Sequence, residues 1–241
     1  MVLRVSEVYK SVQGEGPRVG WPTIFVRFGG CNLRCPGWPC DTQHAIDPKY
    51  RTEWKKYEVD ALAEVIADTS TGLPDTNICF TGGEPMLQQE GDLYLLVQAL
   101  WQQHGFQTIE MFSNGTLAYP AWVHEHIHLI MDWKLAGAGE NFTARTEENR
   151  WNNIANLDDG DAVKFVIKDS ADYEEAMSVW FDYQKMTRRK SFEQPEFFYG
   201  IVWGGEFTNE QLVEKVLADG LPWRLNIQTH NHIWDRNKRG I

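Results

Sequence analysis

No run of roughly 20 apolar residues, the length a helix needs to cross a bilayer, occurs in the chain. No N-terminal segment joins basic residues to an apolar stretch of signal-peptide length. The expectation is a cytoplasmic protein without a membrane partner. Positive charge is scarce too: 23 Lys and Arg against 34 Asp and Glu give a formal net charge of -11 over 241 residues. Such a surface repels phosphate backbones, so nucleic acid is not an expected partner. The two small basic clusters, MTRRK (186–190) and DRNKRG (235–240), read as solvated faces. Cysteine is rare as well, with four in all, yet three crowd into GCNLRCPGWPCDT (30–42). In a reducing compartment clustered thiols bind metal or do chemistry rather than form bridges. The fourth, Cys79, lies inside an apolar strand and reads as a small buried hydrophobe.

What is present suffices for one core. With 42% hydrophobic and 13% aromatic residues, a chain of this length is expected to form a single domain over 1–241 without disulfide help. Seven segments carry strand texture: 23–30, 77–85, 106–115, 127–134, 161–168, 197–203 and 223–230. Helical periodicity lies between several of them. Val59, Leu62, Ala63 and Ile66 share one face, as do Leu93, Leu96, Val97 and Leu100, and 171–186 and 208–218 are similar. The alternation predicts an α/β fold with buried parallel strands, either an open doubly wound sheet or a complete or partial (β/α) barrel. The least patterned region, 135–157, reads as a long loop with one short helix.

Parallel α/β folds place their chemistry where strands end. The cysteine loop follows one predicted strand, TGGEP (81–85) a second, SNGT (113–116) a third, and DWK (132–134) ends a fourth. Four polar clusters then surround one rim. Three thiols suit an iron-sulfur cubane with one iron left open, whereas a structural zinc needs a fourth ligand, which His44 offers through a Cys31, Cys35, Cys40, His44 set. Spacing alone leaves both open.

VQGEGPRVGWPTIFVRFGGCNLRC, CDT, TGGEP, SNGT and KFVI together resemble 7-carboxy-7-deazaguanine synthase, a family of radical S-adenosylmethionine enzymes, over about residues 4–168. The similarity implies a partial TIM-like (β/α) barrel of about six core parallel strands, with 1–22 as a substrate-binding extension and 223–241 as a C-terminal strand and tail. It implies three cofactors: a [4Fe-4S] cluster on Cys31, Cys35 and Cys40, S-adenosylmethionine, and Mg2+ on Thr42. Pro39, Cys40, Asp41, Gly83, Glu84, Ser113, Asp132, Trp133 and Lys134 match the segments that contact S-adenosylmethionine, and Asn114 lies beside them. Glu84 has the charge for the methionyl ammonium, and Gly82 and Gly83 permit close backbone approach. The implied substrate is 6-carboxy-5,6,7,8-tetrahydropterin, contracted with loss of ammonia in 7-deazapurine (queuosine-type) biosynthesis. Val12, Gln13, Gly14 and Glu15 suit the donor edge of a pterin, Arg27 its carboxylate, and Thr81 a further hydrogen bond. An external electron donor such as flavodoxin or ferredoxin, and a homodimer, are implied partners. Four residues, Pro36 to Pro39, separate Cys35 from Cys40, two more than is usual in the family.

Other features have plainer readings. Arg27 by position alone reads as a surface cation on an edge strand, and Thr42 as a helix N-cap. His124, His126 and His128 alternate along HEHIH and read as one strand face preceded by a loop. Gln228 and His230 echo the family's C-terminal motif, although eleven residues follow His230 here. Two other functions remain: a glycyl-radical activase, against which VQGEG argues, and a zinc-stapled interaction module.

Overall fold

A computed structural model describes residues 2–38, 40–73, 76–187, 193–235 and 238–240. Nine strands form one sheet in the order β3-β1-β2-β4-β5-β6-β7-β8-β9. They are β1 (Leu3–Val12), β2 (Pro22–Phe28), β3 (Lys55–Tyr57), β4 (Asn77–Gly82), β5 (Ile109–Ser113), β6 (His128–Trp133), β7 (Ala162–Ile167), β8 (Glu196–Ile201) and β9 (Arg224–Leu225). From β2 through β9 every pairing is parallel; β1 pairs antiparallel with both β2 and β3. The first and last strands of this order do not pair, so the sheet curls into a partial barrel rather than closing.

The helices are α1 (Gln43–Ile46), α2 (Val59–Ser70), α3 (Glu90–Gln102), α4 (Ala121–His126), α5 (Ala144–Asn156), α6 (Ser170–Thr187), α7 (Asn209–Ala218) and α8 (His230–Ile233). The apolar stripes of α2, α3, α6 and α7 cover one face of the sheet. Val59, Leu62, Ala63 and Ile66 of α2 and Leu93, Leu96, Val97 and Leu100 of α3 are buried against Ile24, Val26, Ile78 and Phe80 of the strands. A reciprocal capping box between Thr208 and Gln211 starts α7. Among the described residues no helix is long and apolar enough to cross a membrane.

Several elements depart from the expectation, each for a physical reason. Strand β1 falls in the segment read as an extension; a register shift between Val5 and Glu7 changes the phase of its alternation, and its middle is only half-buried. Helix α5 takes 13 residues of the region read as a long loop with one short helix; its length was hidden because its buried face is Arg150, Asn153 and Ile154 and so lacks an apolar period. The histidines of HEHIH do not share a strand face: His124 and His126 end α4, and only His128 lies in β6. The 223–230 strand shrinks to Arg224–Leu225, and His230 opens α8.

Truncating Leu62, which is fully buried in the core, is expected to cost about 2–5 kcal/mol. Urea unfolding of Leu62→Ala at unchanged m-value would measure it.

Candidate active site

The chemistry-bearing segments gather at the C-terminal ends of the parallel strands, as the strand-to-loop transitions require. Residues 29–42 leave β2, the TGGEP turn leaves β4, Ser113 and Asn114 leave β5, and Lys134 follows β6. The TGGEP turn lies directly against the cysteine loop: Gly83 N–H donates to the Phe28 carbonyl at 3.0 Å and Glu84 N–H to the Gly30 carbonyl at 2.8 Å. A Cβ on Gly83 would stand 1.8 Å from the Gly30 oxygen, so only glycine permits this approach.

Glu84 is fully buried. Its carboxylate accepts from Met86 N–H (3.0 Å), the Ser113 hydroxyl (2.9 Å) and Asn114 N–H (2.7 Å). It therefore ties the end of β4 to the end of β5. Burial pushes its carboxyl above the ordinary range, and the hydrogen bonds from Asn114, Met86 and Ser113 oppose that push. Asn114 in turn bonds Asn32 at 3.0 Å and lies 3.9 Å from the Cys31 sulfur.

Cys31, Cys35 and Cys40 are free and partly buried, and Cys79 is fully buried. Burial raises the Cys31 thiol to about 11 and the Cys35 thiol to about 12, against which the Lys134 ammonium acts on both. Lys134 is also within electrostatic reach of Cys40. Three partly buried thiols within electrostatic reach of one ammonium, free of disulfide bonds and on a loop packed against the TGGEP turn, suit a cluster held by three cysteinates. His44 does not join them: its Nε2 pairs with Glu7 at 2.5 Å. Thr42 occupies an N-cap position but does not cap; its hydroxyl donates to the Gly82 carbonyl at 3.2 Å and lies 3.4 Å from the Cys40 sulfur. Asp41 is exposed, and Pro39 lies outside the described residues.

A line of alternating charges crosses the barrel interior. Glu15 pairs with Lys164 of β7 at 2.9 Å, Lys164 lies 3.6 Å from Asp132 of β6, and Asp132 pairs with Lys134 at 2.9 Å. Burial alone would neutralise these groups. Lys164 nevertheless holds Glu15 below the usual carboxylate range, and Lys134 with Lys164 does the same for Asp132. Trp133 departs from the predicted set, because strand alternation sends its indole outward into the core, 4.9 Å from Trp151. Its neighbour in sequence is anchored from the same side: Arg150 stacks between Trp133 and Phe142 and donates to the Lys134 carbonyl at 2.7 Å.

The QGEG loop closes the gap between the first and last parts of the sheet. The Gly14 carbonyl accepts from Thr229 N–H at 3.0 Å, Gly16 N–H donates to Asn226 at 3.1 Å, and Asn226 donates to Glu15 at 3.3 Å. Gln228 and His230 also act on Glu15. Val12 ends β1, and Gln13 reaches down to Glu110, which also accepts from Asn77 at 2.8 Å. Arg27 is not on an edge strand: β2 lies between β1 and β4, and Arg27 donates to the Tyr9 hydroxyl at 2.7 Å beside its register partner Thr81.

Lys164, Asn226, Glu110 and Asn77 were not among the predicted site residues. Their signal was a charged or amide side chain inside an otherwise apolar strand or at its end, as in KFVI and TIEMF.

This rim, with three cysteines and a glycine-rich turn against them, belongs to a radical S-adenosylmethionine enzyme carrying a single 4Fe-4S cluster; the profile of the 4Fe-4S single cluster domain matches residues 12–156. A 7-carboxy-7-deazaguanine synthase from Koribacter versatilis is 32% identical, covering 99% of this chain and 100% of the relative. One from Clostridium acetobutylicum is 30% identical over 100% of both. The chain belongs to the 7-carboxy-7-deazaguanine synthase family. Its fold is similar to the crystal structure of QueE from Escherichia coli, with a TM-score of 0.68 at 20% identity over 95% of each chain.

Two outcomes follow from this geometry. In the metal-free chain at pH 8, Cys31 is expected to alkylate at least about a hundredfold more slowly than a free cysteine and Cys35 at least about a thousandfold, recovering as pH rises toward about 11 and about 12 respectively. Mass spectrometry of the modified peptides reads this directly. Lys164→Met leaves two buried carboxylates short of a partner and is expected to destabilise the fold by about 3–5 kcal/mol, with Glu15→Gln recovering part of the loss in chemical denaturation.

Proposed function

We propose that this chain converts 6-carboxy-5,6,7,8-tetrahydropterin to 7-carboxy-7-deazaguanine with loss of ammonia, in 7-deazapurine biosynthesis. The observation that carries the reading is the interior charge line from Glu15 to Lys134, which starts on the QGEG loop and ends at an ammonium within electrostatic reach of the three thiols. When bound, the cluster with S-adenosylmethionine supplies a one-electron reduction and a hydrogen-abstracting radical.

The chain's own residues bind and orient. Cys31, Cys35 and Cys40 would hold the cluster, and Lys134 balances their negative charge. Gly83, Ser113, Asp132 and Lys134 would hold S-adenosylmethionine, with Glu84 acting through the Ser113–Asn114 turn to which it is bonded. Glu15 remains ionised beside Lys164, so it accepts from the N–H edge of the pterin while keeping its ion pair. Gln13 presents its oxygen to the Glu15 amide at 3.2 Å, which fixes the loop that Val12 and Gly14 complete. Arg27 stays cationic: burial works against its charge, but Tyr9 and Glu7 sustain it, which suits the substrate carboxylate. Thr81 lies beside it for a further hydrogen bond. Thr42, not consumed as a cap, offers a hard oxygen to Mg2+. A flavodoxin or ferredoxin as electron donor and a homodimeric state complete the proposal.

Anaerobically reconstituted protein is expected to hold about four irons per chain and to form the deazaguanine from the carboxypterin, detected by mass. Replacing Cys31, Cys35 or Cys40 removes the iron, whereas Cys79→Ala keeps it. Arg27→Gln is expected to lower kcat/KM about tenfold to a hundredfold, the worth of a hydrogen bond to a charged group. Thr42→Val is expected to abolish the response to Mg2+; an unchanged response removes Thr42 from the site. A colourless protein holding one zinc and cleaving no S-adenosylmethionine would overturn the reading.

A further inference from the structure

Residues 36–38, which follow Cys35, do not stand free over the barrel mouth. They are docked on residues 136–140, the loop that follows β6. Gly37 N–H donates to the Ala138 carbonyl at 2.9 Å. A Cβ on Gly37 would meet the Gly137 oxygen at 1.8 Å, so two backbones touch with no side chain between them. The platform is fixed from beneath by α6. Asp172 accepts from Gly137 N–H at 2.7 Å and Glu175 from Ala136 N–H at 2.8 Å. At the end of the platform a single oxygen of Glu140 accepts from the amides of both Arg34 and Cys35. Cys35 has φ of +45°, in the left-handed region that side-chain-bearing residues rarely adopt.

We propose that Glu140 is a positioning residue for the Cys35 ligand of the cluster. Its carboxylate gathers the two successive amides that the left-handed turn exposes and fixes the direction in which Cys35 leaves the backbone. Successive N–H groups around an αL residue form a concave anion-binding nest, and here the anion is a side chain of the chain itself. Gly37 serves the same end by letting the loop lie flat on the platform. The proposal rests on the assignment of Cys35 as a cluster ligand.

The test uses the full chain, reconstituted anaerobically and challenged with an iron chelator. Glu140→Ala is expected to lose iron about tenfold faster than the unsubstituted chain, because an acceptor serving two amides with a charge is removed. Glu140→Gln, which keeps one acceptor oxygen, is expected to stay within about threefold. In the metal-free state, alkylation of Cys35 should accelerate in Glu140→Ala while Cys31 and Cys40 keep their rates. Equal iron loss in Glu140→Ala and the unsubstituted chain would overturn the proposal, as would a uniform acceleration at all three thiols, which marks general loosening. Absence of a cubane from the unsubstituted chain would instead sink the ligand assignment itself, a result visible before any Glu140 variant is compared.

Discussion

Charges taken out of water must find partners inside, and that constraint organises this barrel. Lys164 stands on the inner face of β7 with almost no solvent contact, and its ammonium is tolerable only between Glu15 and Asp132. Asp132 requires Lys134 in addition, and Lys134 faces the thiols. The ion pairs thereby fix the relative positions of the QGEG loop and two adjacent strands. A site arranged this way presents fixed dipoles and charges to its ligands before they arrive, so little reorganisation accompanies binding.

Around this line lies a second set of restraints made from backbone. Glu84 joins β4 to β5, Gly83 lets the TGGEP turn lie on Gly30, and Glu140 gathers the amides of Arg34 and Cys35. Each uses a carboxylate or a missing Cβ to hold a loop that has little apolar area of its own. Most of the apolar area lies on the other side of the sheet, where α2, α3 and α6 cover the strands, with a small cluster of Ile130, Ala162, Phe198 and Phe112 apart from it. Hydrophobic burial under the helices supplies most of the stability, and directional hydrogen bonds supply the geometry of the loops.

Much of the scaffold was legible because its signals are local. Helices α2 and α3 carry four apolar residues each at helical spacing, and the strands β2, β4, β5, β6, β7 and β8 are short, rich in β-branched or aromatic residues and bounded by turn residues, whereas β3, with the sequence KKY, gave no such signal. The elements that escaped had local signals that misled. Helix α5 buries Arg150 and Asn153, whose polar groups bond the Lys134, Gly115 and Leu117 carbonyls, so no apolar stripe announces it. Strand β1 changes phase at its bulge. Trp133 was assigned by its place between Asp132 and Lys134, yet a strand sends alternate side chains to opposite faces.

The sequence by itself determined the grouping of three thiols, the βα rhythm, the glycines that permit close loop contacts and the acidic, phosphate-averse surface, because each depends on neighbours a few residues away or on bulk composition. Only the tertiary structure decided that Glu15 meets Lys164, 149 residues distant, and Asn226, 211 residues distant, that His44 turns to Glu7 instead of the thiols, and that Glu140 reaches back 105 residues to Cys35. Those pairings follow from how parallel strands line up in the sheet and how far their loops extend, and no segment of the chain carries that information alone.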